Sequence, residues 1–208
     1  RLSDVEKGRQ GIESLLNRFL PDGVVRLILL RSKVAGQAES ALDNVSETIP
    51  DATFVVGQLS GYEDILARFP AQDVVSRLNE LVQIIDVAAD NHGVEKVRMA
   101  GDTYFGVAGL STPHLDHHQR GLAFARELRA IIETFGRDYG LKTSARIGIA
   151  SGSAISGTIG RNKLAFDVWG QAVSAAEVLS SAAAPGEIRV TSDFAAAIKD
   201  AESFTQPT

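Results

Sequence analysis

Val94 to Gly109 reads VEKVRMAGDTYFGVAG, and the fold is decided there. Two β-type runs, VEKVRM and YFGVAG, flank a short Ala-Gly-Asp-Thr turn. Strict alternation along the first run sets Val94, Lys96 and Arg98 against Val97 and Met99 on the other face. Gly101 tolerates the positive φ that a tight hairpin requires. The turn holds one carboxylate, Asp102, at the tip of the expected sheet. A carboxylate fixed there can ligate a hard cation such as Mg²⁺. A Gly-Asp pair is equally a plain turn former, so the hairpin alone leaves both readings open.

The bulk composition narrows the classes. The chain has 208 residues, 44% hydrophobic and 23% charged, enough for one large globular domain with an appendage. Its formal net charge is -5 and no basic tract stands out, which argues against an extended nucleic-acid surface. It has no cysteine, so no disulfide and no thiolate metal site, as befits a reducing compartment. The longest nearly apolar run, Val24–Leu30, is interrupted by Arg26 and is far too short to span a bilayer. A chain starting at Arg1 is expected to be a piece of a longer protein, cytoplasmic or the cytosolic part of a membrane-attached one.

Residues 1–50 read as a helical stem and connector. Ile12, Leu15, Leu16, Phe19 and Leu20 recur at helical spacing, and Pro21-Asp22-Gly23 ends that helix. Such a stripe either carries a signal and pairs two chains, or packs on the domain's own surface. Gly36 to Ser46 reads as a connector closed by Pro50. The main domain is expected over 51–199, with a tail at 200–208. Ala52–Leu59 reads as a buried strand, and a helix starts at Tyr62 and resumes after Pro70 to Gly93. After the hairpin come a helix over His114–Tyr139, strands at Lys142–Gly152 and Ala154–Ile159, and a polar excursion at Arg161–Ala165. A strand at Phe166–Trp169, a helix at Gln171–Ala183, a strand at Glu187–Thr191 and a helix at Ser192–Lys199 complete the domain. The order βαββαβ, with additions, predicts an α+β, ferredoxin-like core: an antiparallel sheet with helices on one face.

Four stretches together resemble the class III adenylate/guanylate cyclase catalytic domain: FVVGQLSGYE (54–63), VEKVRMAGDTYFGVAG (94–109), RIGIASGSAISGTIG (146–160) and FDVWGQAVSAAEVL (166–179). PGEIRVT (185–191) fits as well. The resemblance covers about 51–199 in the right order. It implies a head-to-tail dimer, homomeric or heteromeric, with sites at the interface. It also implies two carboxylates holding two ions, Mg²⁺ or Mn²⁺, which bridge the triphosphate and assist attack by the 3′-oxygen.

Residue by residue, the resemblance is incomplete. At the first metal position Gln58 stands where the family has aspartate; an amide offers one carbonyl oxygen and no charge. The second metal position, Asp102, matches. Glu63 and Asp64 lie nearby but enter the helix, which turns them elsewhere. Of the pair that reads the purine, Asp167 matches the aspartate of adenylate cyclases. Arg98 replaces the expected lysine, where guanylate cyclases carry glutamate. Arginine is a rigid, permanently charged fork, so Arg98 and Asp167 could pair across a dimer interface and fill the base pocket, or Arg98 could be an ordinary solvated strand residue. The family's Asn and Arg, four residues apart on the helix after Trp-Gly, fall here on Ser174 and Val178. A valine cannot stabilise phosphate charge. In a heterodimer this chain is complete in neither the metal role nor the base role.

Other candidates carry less. His114, His117 and His118 with Asp116 could bind a transition metal, or form a solvated helix start. Gly157-Thr158-Ile159-Gly160 lacks the Gly-Lys-Ser/Thr ending of a phosphate loop. Arg161 and Lys163 fall in the family's dimerisation arm, and Trp169 is expected in the core or at a dimer contact. The function expected is therefore a degenerate cyclase homology domain acting as a dimerising or regulatory module in signal transduction. The alternatives are an active adenylate cyclase, alone or with a partner, converting ATP to cyclic AMP and pyrophosphate, and a nucleotide-binding sensor without turnover.

Overall fold

The computed structural model describes residues 2–35, 46–160 and 165–198. Two helices open the chain, α1 (Leu2–Leu16) and α2 (Asp22–Ala35). The sheet begins with β1 (Ser46–Ser60), followed by α3 (Tyr62–Arg68) and α4 (Ala71–His92). The hairpin β2 (Val94–Ala100) and β3 (Thr103–Ala108) precedes α5 (His117–Tyr139). Then come β4 (Ser144–Ile159), β5 (Ala165–Trp169), α6 (Gln171–Ala182), β6 (Ile188–Val190) and α7 (Ser192–Ala197). The sheet order is β2-β3-β1-β4-β5, with β6 added parallel to β4 and the other pairs antiparallel.

Strand alternation divides the core in two. Val55, Tyr104, Ile147 and Ile149 face Leu81 and Ile85 of α4 and Phe124 and Leu128 of α5. Phe54, Val56, Phe105 and Ala150 face the other way, against Val173 and Ala176 of α6 and Val24 and Ile28 of α2. The expectation of helices on one face thus holds for α3 to α5, while α6 and α2 cover the opposite face. The approach of α6 depends on Gly148: a Cβ there would lie 2.0 Å from the Ala176 carbonyl oxygen.

Several boundaries differ from the sequence reading, for local reasons. Val24–Leu30 belongs to α2, since Pro21 provides a helix start as well as a stop. The two strands expected after Lys142 are one, because Gly152 at φ 147° lets β4 bend without leaving the ladder. Opposite it, the register of β1 shifts between Ile49 and Ala52. Pro50 sits in that bulge, where its missing N–H breaks no regular pairing, so it lies inside the strand. Gly93 and Gly140 cap α4 and α5 at φ 65° and 63°. The excursion at 161–164, with Arg161 and Lys163, the connector 36–45 and the tail from 199 lie outside the described residues.

The correction that matters most for the site lies in β2. Lys96 pairs with Gly106 and Arg98 with Phe105, so the register slips at Val97. Lys96 remains on the α4 face, where its ammonium meets Asp86 at 2.9 Å. Arg98 is turned to the opposite face, over the Phe105 ring at 4.9 Å. A bulge at Val97 re-aims a side chain that strict alternation would have placed beside Lys96.

Candidate functional site

The ends of β1 and of the β2–β3 hairpin meet, as antiparallel pairing requires: Gln58 lies opposite Thr103. The Leu59 amide donates to the Asp102 carbonyl oxygen at 2.8 Å, which pins the turn to β1. The Gln58 amide nitrogen donates to Asp102 Oδ2 at 3.0 Å, and Thr103 Oγ1 donates to Oδ1 at 2.9 Å. Both oxygens of the one matching carboxylate therefore already accept protein hydrogen bonds. Two cations held between positions 58 and 102 call for carboxylate oxygens on both sides, and here a neutral amide faces the single carboxylate of Asp102. The residues do not fit a two-ion centre. Among the described residues, no cluster of three or more His, Asp or Glu side chains is placed to hold a metal.

Around this point lies a cleft of about 380 Å³. Glu63 and Asp64 line it from the first turn of α3, together with Ser60, Gly61, Tyr62 and Arg146. Glu63 and Asp64 are thus closer to the site than the helix argument allowed. Arg146 lies opposite Gln58 in the β1–β4 ladder. Its Nε and the Ser60 hydroxyl are buried with no hydrogen-bond partner. Unpartnered buried donors are costly. Arg146 is not among the residues singled out from the sequence. The available signal was a lone cation within the apolar strand RIGIA, directly across from Gln58.

The second locus is formed where the two edges of the sheet approach each other. Arg98 from β2 meets Asp167 from β5 through its Nη1, and its Nη2 reaches Glu177 Oε1 on α6 at 2.9 Å. The Val168 amide donates to the same Asp167 oxygen, Oδ1, at 2.8 Å. The Arg98–Asp167 pair forms within one chain, neither across a dimer interface nor with Arg98 left as a solvated strand residue, the two readings the sequence left open: the sheet curls enough to bring β2 to β5. Glu177 was also missed, although it is the one charged residue in the helix QAVSAAEVLSSA.

Ser174 and Val178 join neither locus. They lie on the exposed side of α6, Val178 with 66% of its surface open. A separate strand row on β4 and β5 exposes Ile155, Ile159 and Trp169, with Asp167 in the same row. Trp169 is therefore half-exposed rather than a core residue. One chain brings together the 58/102 pair and the 98/167 pair, and leaves the 174/178 pair facing outward.

The histidines form no such site. His117 is buried, with Nδ1 2.8 Å from Thr53 Oγ1 and Nε2 3.4 Å from Asp51. His118 lies 3.1 Å from Ser151 Oγ. These are packed groups on the sheet, neither a metal cluster nor a solvated helix start, and α5 begins at His117 rather than His114. Burial lowers the His118 pKa below the usual imidazole value, helped by neighbouring His117 and opposed by Asp51.

Comparison with known proteins gives the family and the fold. Residues 45–207 match the model of the adenylate and guanylate cyclase catalytic domain. An adenylate cyclase of Mycobacterium tuberculosis is 26% identical over 188 residues, 90% of this chain and 40% of that protein. The chain thus spans well under half the length of the curated relatives it matches. The guanylate cyclase domain of RhGC from Catenaria anguillulae, solved in complex with GTP, superposes with a TM-score of 0.69 at 28% identity, covering 74% of this chain and 85% of that one. A non-canonical dimeric guanylyl cyclase domain of the RhoGC fusion protein from Blastocladiella emersonii gives 0.69 at 27% identity, covering 75% and 87%. With most of its length matched by the family model and its hairpin, curled sheet and paired loci in place, the chain belongs to the adenylate and guanylate cyclase catalytic domain family.

Proposed function

We propose that this domain is a dimerising module that takes a purine nucleoside triphosphate in its cleft and turns it over slowly or not at all. The carrying observation is the Gln58 N–H donated to Asp102, which occupies the place where a second carboxylate would face a cation. Ser174 and Val178 support the same conclusion. Removing one preorganised donor of the kind valine replaces costs roughly a hundred- to a thousandfold in rate. The cleft itself persists, and the unpartnered Arg146 Nε and Ser60 Oγ are suited to phosphate oxygens. Asp102 leaves room for at most one Mg²⁺ or Mn²⁺ entering with the phosphates. The exposed strip of Ile155, Ile159 and Trp169 supports association of two chains there.

The test is a cyclase assay with ATP and GTP separately, in Mg²⁺ and in Mn²⁺, on the purified dimer. Product should be at trace level. Restoring Gln58→Asp, Ser174→Asn and Val178→Arg together should raise it by at least about a hundredfold, on the donor magnitude above. Robust cyclic AMP formation by the unmodified chain, abolished by Asp102→Ala, would overturn the proposal in favour of an active adenylate cyclase.

A further inference from the structure

Resting on the nucleotide reading above, we propose that Glu177 is a positioning residue: it holds Arg98 across Asp167, so that the base corner is kept shut by the chain's own ion pairs until a base displaces them.

Four observations converge. The bulge at Val97 is what turns Arg98 toward α6 and β5 rather than toward Asp86. The guanidinium then spends one Nη on each of two carboxylates, Asp167 and Glu177, from two different elements. A lysine offers a single point charge and cannot span two partners this way; the arginine fork can. The fork also lies over the Phe105 ring at 4.9 Å, occupying an aromatic face beside Asp167. Finally, Asp167 Oδ1 is shared between Arg98 and the Val168 amide, so a base edge approaching Asp167 meets a carboxylate already half committed.

The three side chains are 35%, 26% and 46% exposed. Pairs at such exposure are individually weak. That suits a closure that a ligand can open. It also places Glu177 at the rim, where its removal loosens Arg98 without touching the packing beneath. A site that is open only part of the time binds more weakly in proportion to the open fraction. The loss falls on the base and spares the phosphates, because the cleft at Arg146 and Asp102 lies apart from this corner.

The experiment compares two ligands on the 208-residue chain by calorimetric titration in Mn²⁺: ATP and inorganic tripolyphosphate. In the unmodified protein the two should bind within about threefold of each other, since the base gains little at a closed corner. In Glu177→Gln, nearly isosteric and half-exposed, ATP should tighten about three- to fivefold, the worth of one half-exposed ion pair, while tripolyphosphate stays unchanged. Glu177→Asp, which keeps the charge on a shorter stem, should fall between them. A tenfold preference for ATP in the unmodified chain would overturn the closure, and so would an ATP-to-tripolyphosphate ratio unmoved by Glu177→Gln. Failure of tripolyphosphate itself to bind would instead overturn the nucleotide cleft, and this inference with it.

Discussion

At the hairpin turn the Gln58 amide nitrogen and the Thr103 hydroxyl donate to the two oxygens of Asp102, so a single substitution at position 58 sets what that carboxylate can bind. That Gln58 replaces a carboxylate is legible at once. That its amide turns an N–H to Asp102 depends on the register of three strands. Arg98 shows the opposite limit. Its identity was plain, but alternation placed it beside Lys96, and one extra residue at Val97 sends it to the other face. His117 and His118 were read as a metal cluster or a solvated turn because their spacing suits either. Burial against Thr53 and Ser151 decided otherwise, and burial is a long-range fact. It has a measurable consequence. His118 is held neutral in the fold by desolvation and by His117, so its folded pKa lies below its unfolded value near 6.5. The unfolded chain then binds the proton first as pH drops. This contribution to stability is complete above about pH 6.5 and is lost as pH falls through the lowered folded value. Urea midpoints measured stepwise downward from pH 7 should decline across that window, and His118→Gln should flatten the decline. An identical slope in the variant would remove His118 as its source.

Helices α4, α5 and α6 were legible as elements because their apolar positions repeat at helical spacing and Gly93 and Gly140 cap two of them. The continuity of β4 was not, because Ser151-Gly152-Ser153 has the composition of a turn while the ladder to β1 runs through it. The seating of α6 on that strand was equally hidden. In RIGIA, Gly148 looks like a weak point in a strand, yet it is the position where helix and sheet come closest. A Cβ would stand 2.0 Å from the Ala176 carbonyl oxygen and 2.4 Å from the Ser180 nitrogen, both backbone atoms. No side chain can rotate away to relieve that contact, so the helix must move as a unit. Gly148→Ala should therefore cost about 3 kcal/mol or more, at the upper end for overpacking, and lower the melting temperature by roughly 6 °C or more in a domain of this size. Gly101→Ala is the control: the hairpin tip has open space around it, and only its φ of 59° opposes a side chain. It should cost about 1–2 kcal/mol, the ordinary penalty for a left-handed non-glycine residue. Calorimetric melts of the two variants check both. Equal losses would mean that α6 does not bear on Gly148 as described.

For the molecule as a whole, the question is where a second chain would sit. Among the described residues, apolar side chains are exposed at Ile12, Leu15 and Phe19 in and just after α1, at Val75, Ile84 and Val87 on α4, and, as the second strip weighed against the stem, at Ile155, Ile159 and Trp169 on β4 and β5. The second strip shares its row with Asp167, and the exposed side of α6 bearing Ser174 and Val178 belongs to the neighbouring helix. Within one chain those two positions face away from both the cleft and the base corner. The stem is less free than its sequence suggests, too. Val24, Val25 and Ile28 of α2 are buried, and the Gly23 amide donates to Ser111 Oγ at 3.0 Å, so the second helix is part of the domain's own packing. If dimerisation runs through the sheet face, Ile159→Asp should shift the chain to a monomer by sedimentation velocity. A charge at the centre of an apolar contact costs several kcal/mol of association when it is buried without a partner, on the order of a thousandfold in affinity. The same variant should keep its melting temperature in the monomeric state, because Ile159 is 58% exposed in the single chain and supports nothing there. A dimer that survives Ile159→Asp but dissociates on Leu15→Asp would move the interface from the sheet face to the stem.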